Sequence, residues 1–500
     1  MRSFLVLTLI GALGFLVGCG SSGTPAGVVL SVQLTPSSAS VNAGGVVNIT
    51  ASVANDSSGK GVSWSLSGVG TLTSQTTTGA TYTAPATVTT TSVATVVATS
   101  IASPTVNASL PITVSPAGTT ANVVPISVNG GPLLPTTIYT NAAFVSVQVC
   151  ATSGACQTIP DILVDTGSFG LRLLASEVTV PLTPITDGSG NTLYDCVQFV
   201  DNSFLWGTVA PANIIVGGET ATATSVQVIA NPSFSIPSGC SGTNEDTQTL
   251  LGANGILGVG PEPFDCGLAC DPSQQGQGNA PTVYYLCSSG GSCNTTFVSC
   301  GTICQDANPN QQVTNPVFNF PVDNNGTILT LPQVNDVAAT VTGTLTFGIG
   351  TESNNTIPTT ATLFTLDSSD NFITNFGGQS LTASFIDSGS NGLFFPDSSL
   401  STCPDNASWY CTPATSLSAT NVDPNNGSTT NTVTFSVDDF DTVTQANPTA
   451  AAFSNLAGPM PCTSSPCTFD WGLPFFYGRS VFTAIDGTTV GTTPGPFWAY

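Results

Sequence analysis

The sequence predicts an all-β chain: an N-terminal β-sandwich followed by a larger domain stapled by disulfides. Three observations carry that prediction. Short runs of alternating apolar and polar residues recur along the chain, and no long 3.6-residue periodicity breaks them. Punctuation between the runs is dense, with 51 glycines and 35 prolines. Of the 15 cysteines, all but Cys19 fall between Cys150 and Cys467, an even set at short intervals that implies an oxidising compartment. At 500 residues the chain has room for two or three domains with a sizeable core.

Charge and composition narrow the chemistry. Lys and Arg number 4 against 28 Asp and Glu, a formal net charge of −24, which argues against nucleic acid or anionic membrane surfaces as partners. The sequence pI of about 4.1 puts the least self-repulsion in acid. Histidine is absent, which excludes Ser-His-Asp and Cys-His catalysis and His-ligated zinc together. Four thiolates from Cys266, Cys270, Cys300 and Cys304 are the competing zinc reading, and the exported context favours disulfides instead. Asp438, Asp439 and Asp441, and the turn Asp323-Asn-Asn-Gly326, lack EF-hand spacing, so no metal or cofactor is expected. What remains is carboxylate, hydroxyl, thiol and backbone chemistry.

Residues 1–18 carry Arg2 and an apolar run too short to span a membrane, ending Leu16-Val17-Gly18-Cys19. This ending resembles the lipobox of bacterial lipoproteins. The resemblance implies a lipid on Cys19, the sole contact with a membrane, and, with Gly20 next, an exported protein at the outer membrane or cell surface. Residues 19–27 form the lipidated cysteine and a Gly/Ser/Pro tether. Within 28–116, runs such as Val47–Val53, Val62–Leu66, Ala80–Thr83 and Val96–Ile101 recur about every ten residues, the spacing of a β-sandwich. Trp64 and Ala80-Thr-Tyr-Thr-Ala-Pro85 resemble bacterial Ig-like repeats. This module has no cysteine and no cluster of reactive groups, so a spacer role is expected.

A second domain starts near Asn122. Ala143–Val149 alternates as a strand and Asp161–Val164 is its expected hairpin partner, with Cys150 and Cys156 flanking the turn. A disulfide there would staple the hairpin that delivers Ile162-Leu-Val-Asp165-Thr166-Gly167-Ser168-Phe-Gly-Leu171. The stretch has an echo at Ser384-Phe-Ile-Asp387-Ser388-Gly389-Ser390-Asn-Gly-Leu393. A carboxylate that ends a buried strand is costly to desolvate. Two in matching frames suggest a pair sharing one site.

These paired motifs resemble the two catalytic elements of pepsin-like aspartic peptidases. Further landmarks fit: Gly255-Ile-Leu-Gly-Val-Gly260 and Trp471-Gly472-Leu-Pro-Phe-Phe-Tyr-Gly-Arg-Ser-Val-Phe-Thr-Ala-Ile-Asp486 match the apolar-apolar-Gly segments that return beneath each aspartate loop, and Ile214-Ile-Val-Gly-Gly218 matches the strand after the flap. More narrowly, the domain resembles a bacterial secreted family with the same paired motifs. The resemblance implies a bilobal fold, with one lobe at 122–335 carrying a Cys-rich insertion at 266–304 and the other at 336–500. It implies a monomer that needs no cofactor and acts on polypeptide. Asp165 and Asp387 would share a proton, one acting as base on water and the other protonating the scissile carbonyl. Gly167 and Gly389 would let the loops approach, Thr166 and Ser388 would bond the opposite loop, and Ser168 and Ser390 would orient the outer carboxylate oxygens.

The chain also departs from that family. The flap candidate Cys196–Gly207 has no tyrosine, which leaves Phe199 and Trp206 as apolar covers, with Tyr194 just before it. The insertion either narrows the cleft or forms a stapled surface loop. Arg172 and Arg479, the only arginines of this domain, are either cations near the pair or members of structural ion pairs behind the loops. Two functions follow: a surface-anchored, acid-optimum aspartic endopeptidase, or a non-catalytic protein- or glycan-binding module on a peptidase scaffold.

Overall fold

A computed structural model describes residues 30–500 except 37, 38, 44, 86, 87, 89–91, 116–121, 230–233, 272–281 and 302–309. The expected lipobox, Cys19, the tether and Cys304 lie outside the described residues. The protein is nearly all β; among the described residues the α-helices are only Gln248–Leu251 and Phe440–Ala446. It divides into two compact units, Met1–Thr119 and Thr120–Tyr500.

In the first unit two four-stranded sheets share one core. One sheet runs Ser31–Thr35, Val46–Ala54, Gly79–Thr83, Thr71–Thr73; the other runs Ala39–Asn42, Asn107–Ser115, Ser92–Ser100, Val62–Ser67. Period-two alternation turns Val32, Ile49 and Tyr82 of the first sheet, and Val62, Val96 and Ile112 of the second, into the same apolar cluster. Tyr82 is fully buried and satisfies its hydroxyl by donating to Val69 O at 2.8 Å.

The second unit repeats one arrangement twice. Ala143–Cys150 and Cys156–Asp165 form an antiparallel hairpin closed by the Cys150–Cys156 disulfide, as the spacing predicts. Beyond Asp165 the chain turns into the strand Phe169–Leu174, and Gly255–Val259 is inserted between the two, parallel to the first and antiparallel to the second. The second copy begins with the hairpin Phe372–Phe376 and Gln379–Ile386. It continues beyond Asp387 into Leu393–Phe395, and the returning strand Asp470–Trp471 lies between with the same polarities. The glycines of these returning segments are required by space. A Cβ on Gly258 would lie 2.6 Å from Phe169 N, and one on Gly472 would lie 2.0 Å from Gly392 O.

The first copy's sheet runs on into strands of the C-terminal half, the second copy lies in a separate seven-stranded sheet, and one core joins the two. Val123–Val128 pairs with both Ala143–Phe144 and Val341–Thr346, and Gly326–Leu331 pairs with both Val341–Phe347 and Arg479–Ala484. The sheet therefore continues across residues 335 and 336, where the sequence suggests a division. Val147, Leu171 and Leu257 of the first copy belong to the same buried cluster as Ile386, Trp471 and Phe475 of the second.

The Cys-rich insertion is more than a stapled loop. Its strand Thr282–Cys287 pairs antiparallel with Thr192–Gln198, and Cys293–Thr296 pairs with it in turn. The insertion thus widens the sheet beside the hairpin of Thr192–Gln198 and Ser203–Val216. Cys266 bonds to Cys270, Cys287 to Cys293, and Cys300 is also oxidised, so the thiolates of the zinc reading among the described residues are disulfides. Cys196–Cys240 ties the same hairpin to a distant segment.

Candidate active site

Each hairpin strand ends in a carboxylate, and each loop folds back on its own acid. Gly167 N donates to Asp165 Oδ1 at 2.8 Å, while Ser168 Oγ donates to Asp165 Oδ2. In the second loop Gly389 N donates to Asp387 Oδ1 at 2.7 Å and Ser390 Oγ donates to Asp387 Oδ2 at 2.7 Å. The two loops are then laced together by four crossed bonds. Thr166 Oγ1 donates to Ile386 O at 3.0 Å and accepts from Ser388 N at 2.9 Å. Ser388 Oγ donates to Val164 O at 2.7 Å and accepts from Thr166 N at 3.1 Å. Both hydroxyls are buried, and each serves once as donor and once as acceptor.

This lacing brings the carboxylates together. A Cβ on Gly167 would lie 2.6 Å from Asp387 Cγ, and one on Gly389 would lie 2.7 Å from Asp165 Oδ1. Only glycine leaves room for the opposite acid at either position. Burial first, then the charge of Asp387 and a hydrogen bond with it, hold the Asp165 carboxyl well above the usual range, against the pull of Ser168 and Gly167 N. Asp165 accordingly keeps its proton to higher pH than an isolated surface aspartate. All eight residues expected at the centre of the site are therefore in one place.

Two contributors were not legible in the sequence. Asn141, fully buried and left-handed at φ 54, donates to Asn391 O and Phe453 O at 2.9 Å each, and its Oδ1 accepts from Phe453 N and Tyr477 Oη at 2.8 Å each. It anchors the backbone just beyond Ser390. Asp470, next to the expected Trp471-Gly472 landmark, is 1% exposed with its Oδ1 unpartnered, and burial, then the charge of Asp387, hold its carboxyl well above the usual range. An acidic residue inside an otherwise apolar returning segment was the available signal.

Phe199 and Trp206 are held within their own hairpin. Trp206 stacks on Tyr194 at 4.9 Å and meets Tyr285 of the insertion edge-on at 5.4 Å. Phe199 packs against the cluster of Leu174, Val197, Leu205, Ile229 and Ile256. Arg172 belongs to a buried ion-pair network: its guanidinium meets Asp195 at 2.5 Å and Asp265 at 2.9 Å, and donates to Gln227 Oε1 at 2.7 Å. One cation facing two buried carboxylates leaves a charge uncompensated, so a proton is retained there. Burial, opposed by Arg172 and aided by the charge of Asp265, pushes Asp195 up to about 8. Arg479 donates to Phe475 O at 2.6 Å, lies 4.6 Å over the Phe475 ring, and lines a cleft of about 420 Å³ with Thr432, Ser480 and Tyr500. Of the acidic clusters, Asp439 caps the helix Phe440–Ala446 by accepting from Thr442 N at 2.8 Å, and Asp323 accepts from Thr351 Oγ1.

Fold and site define an all-β protein with a paired-carboxylate centre built from two copies of one strand–loop arrangement. The chain belongs to the family described as "Protein of unknown function (DUF3443)", which matches residues 118–500 and so includes both aspartate loops. No curated protein matches it. Among solved structures it is compared with a DUF4784 family protein from Bacteroides caccae, at 8% identity and a TM-score of 0.15, over 81% of this chain and 95% of that one. An overlap that weak carries no argument about fold or function.

Proposed function

We propose that the protein is a surface-anchored aspartic-type endopeptidase with a bilobal pepsin-like domain, hydrolysing peptide bonds in acid. The observation that carries this reading is the crossed lacing of Thr166 and Ser388, which sets Asp165 and Asp387 against each other across two glycines. Two carboxyls so placed do not ionise together, and the monoprotonated pair is a base and an acid at once. The ionised member takes a proton from a water, the water oxygen attacks the scissile carbonyl carbon, and the protonated member gives its proton to the carbonyl oxygen. Collapse of the tetrahedral diol breaks the C–N bond as the departing amine is protonated. In this reading the N-terminal unit is an Ig-like spacer and Cys19 bears the lipid.

The test is hydrolysis of a peptide library by the purified protein lacking residues 1–19, across acid pH, with and without pepstatin. Asp165→Asn and Asp387→Asn each abolish cleavage while leaving thermal unfolding cooperative. Tight protein or glycan binding that survives Asp387→Asn, with no cleavage by the parent, would instead identify a binding module.

A further inference from the structure

The strand Thr430–Val437 ends the seven-stranded sheet of the second copy. One edge pairs with Thr415–Val422 and, among the described residues, no strand pairs with the other. Proteins blunt free edges with charge, proline or a bulge. This edge has none of them: its sequence is Thr-Asn-Thr-Val-Thr-Phe-Ser-Val, and its register against Thr415–Val422 runs without a shift. Asn431, Thr432, Val433 and Thr434 all line the cleft of about 420 Å³ beside Arg479. Side chains alternate between the two faces of a strand, so four consecutive residues cannot line a void that lies on one face. The cleft therefore runs along the backbone edge, where the unpaired N–H and C=O groups are. A second recess of about 170 Å³ takes up the same edge at Val433, Thr434, Phe435 and Ser436. Together the two follow residues 431–436, about 20 Å of strand.

Arg479 lines both recesses. Its place is fixed, since Nη1 donates to Phe475 O at 2.6 Å and the guanidinium lies 4.6 Å over the Phe475 ring. Among the described residues nothing accepts from its Nε or Nη2 and no carboxylate pairs with it, in a chain with 28 acids against 4 bases. Burial pulls the guanidinium below the ordinary arginine range, with Tyr500 opposing. Tyr500 Oη, in the wall of the larger cleft, accepts from Asn421 Nδ2 at 2.7 Å and has its own hydrogen to spare. A guanidinium fork with unused donors matches a carboxylate. One cation balances one negative charge, whereas a dianion such as phosphate would leave the second uncompensated. A peptide chain end brings that single charge without the acidic side chains that a protein of net charge −24 repels.

We propose that this groove takes an extended peptide, which adds as a strand to the free edge of Thr430–Val437 and sets its C-terminal carboxylate on Arg479. Main-chain bonds along the edge supply affinity with little regard to side chains, and the carboxylate fixes where the peptide ends. Arg479 stands where the two recesses meet, because Val433 and Thr434 are common to both. The site uses neither Asp165 nor Asp387 and is independent of the peptidase reading.

The probe is a hexapeptide of alternating threonine and valine, acetylated at its N-terminus and with a free C-terminal carboxylate, titrated calorimetrically into the purified protein at pH 6. The free acid binds, and its C-terminal amide binds about tenfold more weakly or worse, the size of a lost charge-assisted pair. Arg479→Gln brings the acid down to the affinity of the amide. Absence of binding by the free acid, or equal affinity of acid and amide for the parent, overturns the proposal without recourse to any variant. An amidated hexapeptide with one internal aspartate that binds as tightly as the free acid overturns the chain-end assignment. A strand turns every second N–H toward its neighbour, so methylating one alternate set of the peptide's backbone amides abolishes binding and methylating the other set does not. Equal effects of the two sets overturn strand addition. Sedimentation tests the other occupant: a dimer that forms in place of peptide binding assigns the edge to a second copy of the chain and overturns the proposal.

Discussion

Replacing Gly167 with alanine drives a methyl group into the acid of the opposite loop. The added Cβ falls 2.6 Å from Asp387 Cγ and 2.7 and 2.9 Å from its two oxygens, whereas ordinary contact begins at 3.4 Å. The Asp387 carboxyl must retreat by about 0.8 Å, or the loops must part by as much, an overpacking that costs roughly 1–3 kcal/mol of stability. The loops resist parting because four crossed bonds hold them and Gly167 N is itself bonded to Asp165 Oδ1 at 2.8 Å. Gly167 is not in the left-handed region, so the substitution tests space and not backbone strain. In a site that works by orientation, a misplacement of about 1 Å costs on the order of 10²-fold in rate, or ~2.7 kcal/mol of transition-state stabilisation. The assay is kcat/KM on a peptide found by library cleavage, with thermal unfolding measured alongside. Gly188→Ala is the control, since its Cβ meets nothing within 4 Å and its φ is not left-handed. Parental kcat/KM in Gly167→Ala would refute the claim that the two carboxyls work at this separation.

The fold as a whole is more stable in acid. Asp195, Glu245, Glu262 and Asp370, ordinarily 3.8 for Asp and 4.5 for Glu, are pushed by burial to about 8, 7, 9 and 6. The native state therefore binds more protons than the unfolded chain between about pH 4 and pH 9, and stability falls as pH rises through that window, by ~1.4 kcal/mol per pH unit for each such proton. Calorimetry should show Tm dropping from pH 4 to pH 8; a flat or rising Tm would contradict it. Among the staples, Cys196–Cys240 closes a separation of 44 residues and Cys150–Cys156 one of 6. By chain entropy, Cys196→Ser with Cys240→Ser costs about 4 kcal/mol, against roughly 2 for the shorter pair, read from denaturant midpoints; equal losses would count against that account.

The aspartate loops were legible because a strand, a Gly turn and a repeated frame are local signals. The hairpin staple was legible because Cys150 and Cys156 bracket a turn between two alternating runs. Gly258 and Gly472 could be found because close backbone approach admits only glycine. What the sequence could not show is pairing between distant segments. Thr282–Cys287 lies in an insertion that reads as a stapled loop or a cleft-narrowing element, and nothing local says that it joins Thr192–Gln198 as a strand. Asp470 is one acid with no period or spacing of its own, and its place comes from pairing with Phe385 and Phe394, far away in sequence. Asn141 is likewise defined by four partners that fold to it from other parts of the chain. The flap candidates illustrate the same limit, since Phe199 and Trp206 read as apolar covers for the pair while their packing partners are Ile229, Ile256, Tyr194 and Tyr285.

The crossed bonds of Thr166 and Ser388 join residues 222 positions apart. Contacts of such separation close against a large loop entropy and belong late in assembly. Neither half of the domain, alone, holds more than an ordinary surface-type aspartate on a turn. The environment that raises the Asp165 carboxyl is therefore made only when the last long-range closure is made. A chain nicked and parted between the loops loses the contact that sets the two carboxyls against each other.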